Sequence, residues 1–338
     1  MKPMKLLKRL TLVVLLALIG AATWFGIWVF SPLPLRETPL EFSLRTGSGL
    51  RQVAHQMTEA RVLGEPWRFE ALARLLGQAA HVKAGLYELP QPVTPYELLR
   101  KITRGDYTLT AVTVVEGWTF RQIRQALDQH QALAHETRGL SDAEVMRALG
   151  APDVAPEGWF FPETYHVTAG ESDLRVLRRA HRLMREHLER EWPRRAAGLP
   201  LTNPYEALIL ASIVEKETGK PEDRSLIAGV FVNRLKIGMR LQTDPTVIYG
   251  LGPRFDGNLR KADLLADTPY NTYTRAGLPP TPIAMPGKAS LWAAVQPAAS
   301  KALYFVARGD GSSAFSASLE EHNRAVNQFQ LRKSTAAK

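Results

Sequence analysis

Asn203–Thr218 reads NPYEALILASIVEKET, and its pattern organises the chain around it. An asparagine followed by proline is a helix start: the amide side chain takes one orphan backbone N–H, and proline costs nothing at the first helical position. The next ten residues are apolar almost all round, which predicts a helix buried inside a core rather than laid on a surface. Two acids close it. Glu217 continues the i, i+3, i+4, i+7 stripe of Leu210, Ile213 and Val214, whereas Glu215 falls about 200° away beside Leu208, Ala211 and Ser212.

A carboxyl on an apolar stripe keeps its proton because desolvation disfavours the charged form, and the negative end of the helix dipole pushes the same way. Glu217 is therefore a candidate general acid near neutral pH. The residues alone leave a structural ion pair with Lys216 or an arginine open. Downstream, Gln, Thr, Asp, Asn, Tyr and Pro crowd IGMRLQTDPTVIYGLG (237–252) and TPYNTYTRAGLPPTPIAMPG (268–287). Tyrosine faces bind sugar rings, and amides and carboxylates bind hydroxyls. Tyr249, Tyr270 and Tyr273 with Gln242, Asp244 and Asn271 make a candidate glycan cleft, unless Pro, Gly and Asn only shape turns and the tyrosines only pack.

The 338 residues are 45% hydrophobic and hold no cysteine. That length and composition exclude disorder and a disulfide miniprotein, and the missing thiols exclude cysteine nucleophiles and Cys-ligated metals. The net charge is +10, but Lys2, Lys5, Lys8 and Arg9 sit in the first nine residues. Leu10–Phe30 then carries no charge and as a helix is about 30 Å long, enough to span a bilayer. Basic residues precede the run and none closely follow it, so the N-terminus is expected in the cytoplasm and the rest of the chain outside, at the bacterial inner membrane. A cleaved signal peptide is the competing reading, and the length of the apolar run and its aromatic end favour an uncleaved anchor over it. Export also removes nucleic acid as a partner.

SPLPLRETPL (31–40) reads as a Pro-rich connector holding the first folded element off the membrane. Two stretches then resemble each other at an offset of 70: FSLRTGSGLRQVAHQM (42–57) and VTVVEGWTFRQIRQAL (112–127). Each combines a β-type segment, a glycine turn and an amphipathic helix. The first, within 38–107, resembles a LysM-type unit, a βααβ module that binds N-acetylglucosamine polymers; the second is expected to be structural. Asp173–Trp192 is a long amphipathic helix with Leu174, Leu177, Leu183, Met184 and Leu188 near one face and a solvated basic side.

ASIVEKET, VFVNRL, IGMRLQTDPTVIYGLG, YNTYTRAGLPPTPIAMPG and LYFVARGDG occur in this order, and together they resemble the YceG-like family of endolytic murein transglycosylases. The likeness runs from the basic start through EGWFFPETY (157–165) to the C-terminal region. It departs from the family pattern at Thr281, where glycine is frequent, and at Met285, where a polar residue is usual. The resemblance implies cleavage of nascent peptidoglycan within the strand, close to the membrane, ending elongation. It matches the family's catalytic glutamate to Glu217, the residue the stripe also selects. It further implies cleavage of the β-1,4 bond between N-acetylmuramic acid and N-acetylglucosamine without water, the muramic C6 hydroxyl attacking to leave a 1,6-anhydro end. Glu217 would act first as acid, then as base. Gln242, Asn271, Tyr249 and Tyr273 are assigned to glycan binding, with Asp244 and Glu163 as further polar contributors, while Glu157 and Trp159 form a packing corner. A hydrolytic muramidase using Asp244, and a non-catalytic scaffold recruiting synthases, are the competing readings. No metal or organic cofactor is expected, since no ligand spacing, P-loop or dinucleotide turn is present.

The expected fold is α+β: a cytoplasmic tail (1–9), a transmembrane anchor (10–30), a linker (31–37), a LysM-like subdomain (38–107), a connecting part (108–198), a larger mixed α/β catalytic core (199–332) and a C-terminal tail (333–338). Peptidoglycan strands are the expected partner, with peptidoglycan synthases nearby.

Overall fold

The computed structural model describes residues 2–36, 38–45, 47–106, 110–168 and 170–331; the tail at 333–338 lies outside them. In chain order the first elements are α1 (Lys2–Phe30), β1 (Leu40–Leu44), α2 (Leu50–Glu59), α3 (Pro66–Leu75), β2 (Gly85–Leu89) and α4 (Pro95–Arg104). Next come β3 (Thr110–Thr113), α5 (Phe120–Gln129), β4 (Leu133–Ala134), α6 (Asp142–Ala148), β5 (Thr164–Val167), β6 (Glu171–Ser172) and α7 (Asp173–Glu191). The remainder comprises α8 (Pro204–Glu217), α9 (Pro221–Lys236), α10 (Asp244–Leu251), α11 (Lys261–Leu265), α12 (Lys288–Val295), β7 (Tyr304–Ala307), β8 (Ser313–Ser316) and α13 (Leu319–Val326). Helices and short two-stranded sheets together make a mixed α/β fold.

The chain packs as two compact units, the smaller comprising residues 1–111, 131–134 and 166–172. In it β1 and β2 pair antiparallel, Phe42 opposite Tyr87. Alternation along β1 turns Leu40, Phe42 and Leu44 inward, as a half-buried strand requires. The Phe42 and Tyr87 rings stack at 5.5 Å, over Val53, Ala54 and Met57 of α2 and Phe69 and Leu72 of α3. The order β1–α2–α3–β2 is thus a closed βααβ unit. Thr94 and Glu97 form a capping box that starts α4 beside it, satisfying amides the helix itself leaves open.

Thr11–Phe30 within α1 is long and apolar enough to cross a membrane, alone in this among the described residues. The connector after it is not the free spacer its prolines suggest. Val29 and Leu33 are buried in the core of the small unit, and Leu33 N donates to Val93 O at 2.9 Å. Its leucines alternate with prolines, so one edge of the strap is apolar and has a core within reach.

The larger unit comprises residues 112–130, 135–165 and 173–338. Here the second of the two similar stretches opens with Thr113 and Val114 against Glu163 and Thr164: Val114 N donates to Glu163 O at 2.9 Å, and the two threonine hydroxyls meet at 3.1 Å. Helix α8 fills the centre, with eight consecutive buried residues from Ala207 to Val214 packed among α7, α9, α10 and α12. Asn203 caps it as its sequence predicts, Oδ1 accepting from Glu206 N at 3.0 Å. On α9, Gly229 lets the chain at Ala298 come so close that a Cβ would stand 2.7 Å from its carbonyl oxygen. The long amphipathic helix is α7, burying Leu177, Met184 and Leu188.

Candidate active site

Glu217 is the last residue of α8 and is half-buried, while Thr218 after it is already extended. The Thr243 hydroxyl donates to Glu217 Oε1. Among the described residues Glu217 takes part in no ion pair, which sets aside the pairing with Lys216 or an arginine. Its carboxyl pKa is raised, first by burial and then by the nearby Asp244 charge. The Thr243 hydrogen bond and the Arg234 charge pull the other way without reversing it. Arg234 itself is held elsewhere, Nε donating to Leu303 O at 2.7 Å and Nη1 to Leu241 O at 2.5 Å.

A lattice of threonines fixes the segment that carries Thr243. Gln242 N donates to Thr272 O at 3.1 Å, Thr243 N to Thr272 Oγ1 at 3.1 Å, and Thr246 Oγ1 to Thr243 O at 2.8 Å. Gln242 is held at φ +50°, a left-handed conformation that costs a non-glycine residue about 1 kcal/mol and persists only where its surroundings impose it. Its exposed side chain and that of Asp244, the first residue of α10, border the threonine that touches Glu217. Tyr273 OH donates to Asp244 Oδ1 at 2.5 Å, and burial followed by that acceptor raises the tyrosine's pKa. A carboxyl whose pKa is raised, beside a hydroxyl, a second acid and a phenol, with exposed polar side chains at the rim, is suited to donate a proton and take one back.

Three expected ligand residues are placed differently. Asn271 is fully buried; its Nδ2 donates to the carbonyls of Asp263, Leu264 and Ala266 and its Oδ1 accepts from Tyr273 N. With every amide group committed, it clamps the loop that presents Tyr273. The Tyr249 hydroxyl donates to Glu157 Oε2 at 3.1 Å, and its ring packs edge-on against Tyr270 at 4.9 Å. Glu163 is exposed, its charge felt by Tyr165 and His187, and it makes no contact with Glu217 among the described residues. The Asn271 amide and the hydroxyl of the half-buried Tyr249 are thus bonded within the chain, and no sequence periodicity reported those partners.

Glu215 points away from Glu217, as the helical spacing requires. Its Oε2 accepts from Gly287 N at 2.9 Å, and its Oε1 faces Arg224 Nη2 at 3.7 Å. One turn earlier, the buried Ser212 Oγ accepts from Ile283 N at 3.0 Å. The far side of α8 thus holds the Pro-rich loop while its last residue holds the candidate acid. Gly158, at φ +84°, lets the 157–165 segment meet the same loop: a Cβ there would lie 2.5 Å from Pro282.

Sequence reasoning missed two groups. Thr243 gave its signal only as the residue before Asp-Pro, a helix-start position. Glu157 lies in the expected packing corner, where Trp159 stacks on Tyr205 at 5.8 Å, but it is an acid only 6% exposed whose pKa burial lifts to about 7. Among the described residues one grouping, Asp128, His135 and Asp173, has ligand atoms within 4.8 Å of one another. Asp173 there accepts from Thr137 N, Thr137 Oγ1 and Leu174 N, the bonding of a helix-start residue.

The chain matches the model of the YceG-like family over residues 42–328. It is 30% identical over 331 residues to a Bacillus subtilis protein named endolytic murein transglycosylase, covering 92% of this chain and 91% of that one. It is 27% identical to a Streptococcus pneumoniae protein of the same name, across 94% of this chain and 64% of the longer relative. Among solved structures, a yceG-like protein from Listeria monocytogenes aligns with a TM-score of 0.54 at 28% identity, over 84% of this chain and 97% of that one.

Proposed function

Because this chain belongs to the YceG-like family, we propose that it is an endolytic peptidoglycan lytic transglycosylase with Glu217 as its acid and base. The observation that carries the reading is a half-buried carboxyl, free of any ion pair among the described residues and raised in pKa, hydrogen-bonded by Thr243 at the polar rim formed by Gln242, Asp244 and Tyr273. Protonated Glu217 gives its proton to the oxygen linking N-acetylmuramic acid to N-acetylglucosamine. The resulting carboxylate then takes the proton of the muramic C6 hydroxyl as that oxygen attacks C1, closing the 1,6-anhydro ring. The bond broken and the bond formed share one carbon, so one carboxyl serves both steps. Substrate assistance by the neighbouring acetamido group stands where a glycosidase carries its second carboxylate.

On this reading α1 anchors the chain in the cytoplasmic membrane with its N-terminus inside, and the βααβ unit is a LysM-like module on the outer side. Gln242, Asp244 and Tyr273 bind and orient the strand. Nascent peptidoglycan is the substrate, and synthases extending it are the natural neighbours. The test is digestion of purified glycan strands by the full chain, with mass spectrometry of the ends. Anhydro termini that vanish in Glu217→Gln support the proposal; reducing termini, which signal attack by water, reject it.

A further inference from the structure

The Arg68 guanidinium lies 4.4 Å from the ring centre of Trp24, 6.0 Å from Trp28 and 5.6 Å from Trp67. Glu65 fixes this arrangement, accepting from Trp67 Nε1 at 2.9 Å and facing Arg68 Nε at 3.0 Å. Trp24 and Trp28 belong to α1, while Trp67 and Arg68 lie in the first turn of α3. The start of α3 therefore reaches down beside α1 to a point about 9 Å before its last residue, at 1.5 Å per residue. At that last residue, Phe30, the neighbour is Tyr96 at the start of α4, with ring centres 5.9 Å apart. The small unit grips the final two turns of the apolar helix from the side.

This grip restricts where a bilayer can lie. An arginine is costly in hydrocarbon, so the level of Trp24 marks the outer edge of the hydrocarbon rather than its interior. Trp24, Trp28 and Trp67 then surround Arg68 at the level where indole rings settle. Along α3, Trp67, Ala71 and Leu75 recur at i, i+4 and i+8; Trp67 is 52% and Leu75 74% exposed. That apolar stripe starts at the membrane edge and is flanked by Arg68 and Arg74, each paired with a nearby acid, Glu65 at 3.0 Å and Glu70 at 2.9 Å.

We propose that α3 is a second membrane contact, its Trp67–Arg68 turn and the stripe through Leu75 seated in the outer headgroup layer, so that the small unit rests on lipid. The proposal relies on α1 being the anchor, and the test separates the two. The chain has no cysteine, so Leu16→Cys, Trp67→Cys and Leu75→Cys each give a single labelling site in the full-length protein. Each is labelled with a bimane fluorophore and reconstituted in phosphatidylcholine–phosphatidylglycerol nanodiscs, with and without lipid brominated near the carbonyl end of its chains. Quenching at position 67 within about two-fold of that at position 16 is expected for a group at the interface. Quenching at 16 with none at 67 overturns the α3 contact and leaves the anchor standing. Absence of quenching at all three positions overturns both. Should Trp67→Cys not fold, Leu75→Cys carries the same test.

Discussion

Thr243 donates its hydroxyl to the carboxyl of Glu217, and Asp244, the next residue along, places a like charge close to the same group. The hydrogen bond favours the carboxylate and the charge disfavours it, so adjacent residues act on one proton in opposite senses. A general acid works only while protonated, and activity is lost as pH rises through its pKa. Asp244→Asn removes repulsion, and the alkaline limb of kcat/KM moves to lower pH. Thr243→Val removes the stabilising donor, and the limb moves to higher pH. Limbs shifting in the same direction would separate Glu217 from the titration.

Glu217→Gln keeps the size of the side chain and removes the transferable proton. The expected loss in kcat is about 10²–10⁴-fold, the usual worth of a general acid or base. Thermal stability holds or rises, because a desolvated carboxyl is replaced by a neutral amide. A fall in Tm matching the fall in activity would mark the residue as structural.

Glu157 gives a pH signature of its own, in stability. Its carboxyl is raised from 4.5 to about 7 by burial, against the lowering effect of hydrogen bonds from Tyr249 and Phe120 N. Between those values the folded chain holds a proton that the unfolded chain has released. Stability is therefore greatest below pH 4.5 and falls as pH climbs to about 7, by at most about 3 kcal/mol from this group. Denaturant titrations of Glu157→Gln across that window should show a shallower slope than the parent; equal slopes would contradict the buried acid.

Much of this was legible because it is local. The apolar run before Val214 demanded a buried helix, and 100° per residue separated Glu217 from Glu215 before any contact was known. What was not legible lies between segments far apart in sequence. Thr243 meets Glu217 across 26 residues. Asn271 reads as a sugar ligand because its amide is polar, and its bonds to three carbonyls of its own loop cannot be seen in the sequence. Leu33, read as spacer, is buried because a core happens to lie beside it.

Gly158 joins a positive φ to close approach by a rigid ring. Alanine there meets left-handed strain and a Pro282 ring that cannot swing aside, so Gly158→Ala is expected to cost about 2–4 kcal/mol. Chemical denaturation measures it directly. A neutral substitution would mean that the Pro-rich loop moves freely from the 157–165 segment.

The amides of Ile283 and Gly287 sit in a loop without regular secondary structure, but both donate to side chains of α8, Ser212 and Glu215. In deuterated solvent such loop protons should be retained as long as those of the buried helix, because opening them means displacing its last turn. A stretch irregular in outline would then show the slow isotope uptake of a strand, and Ser212→Ala would release Ile283 first.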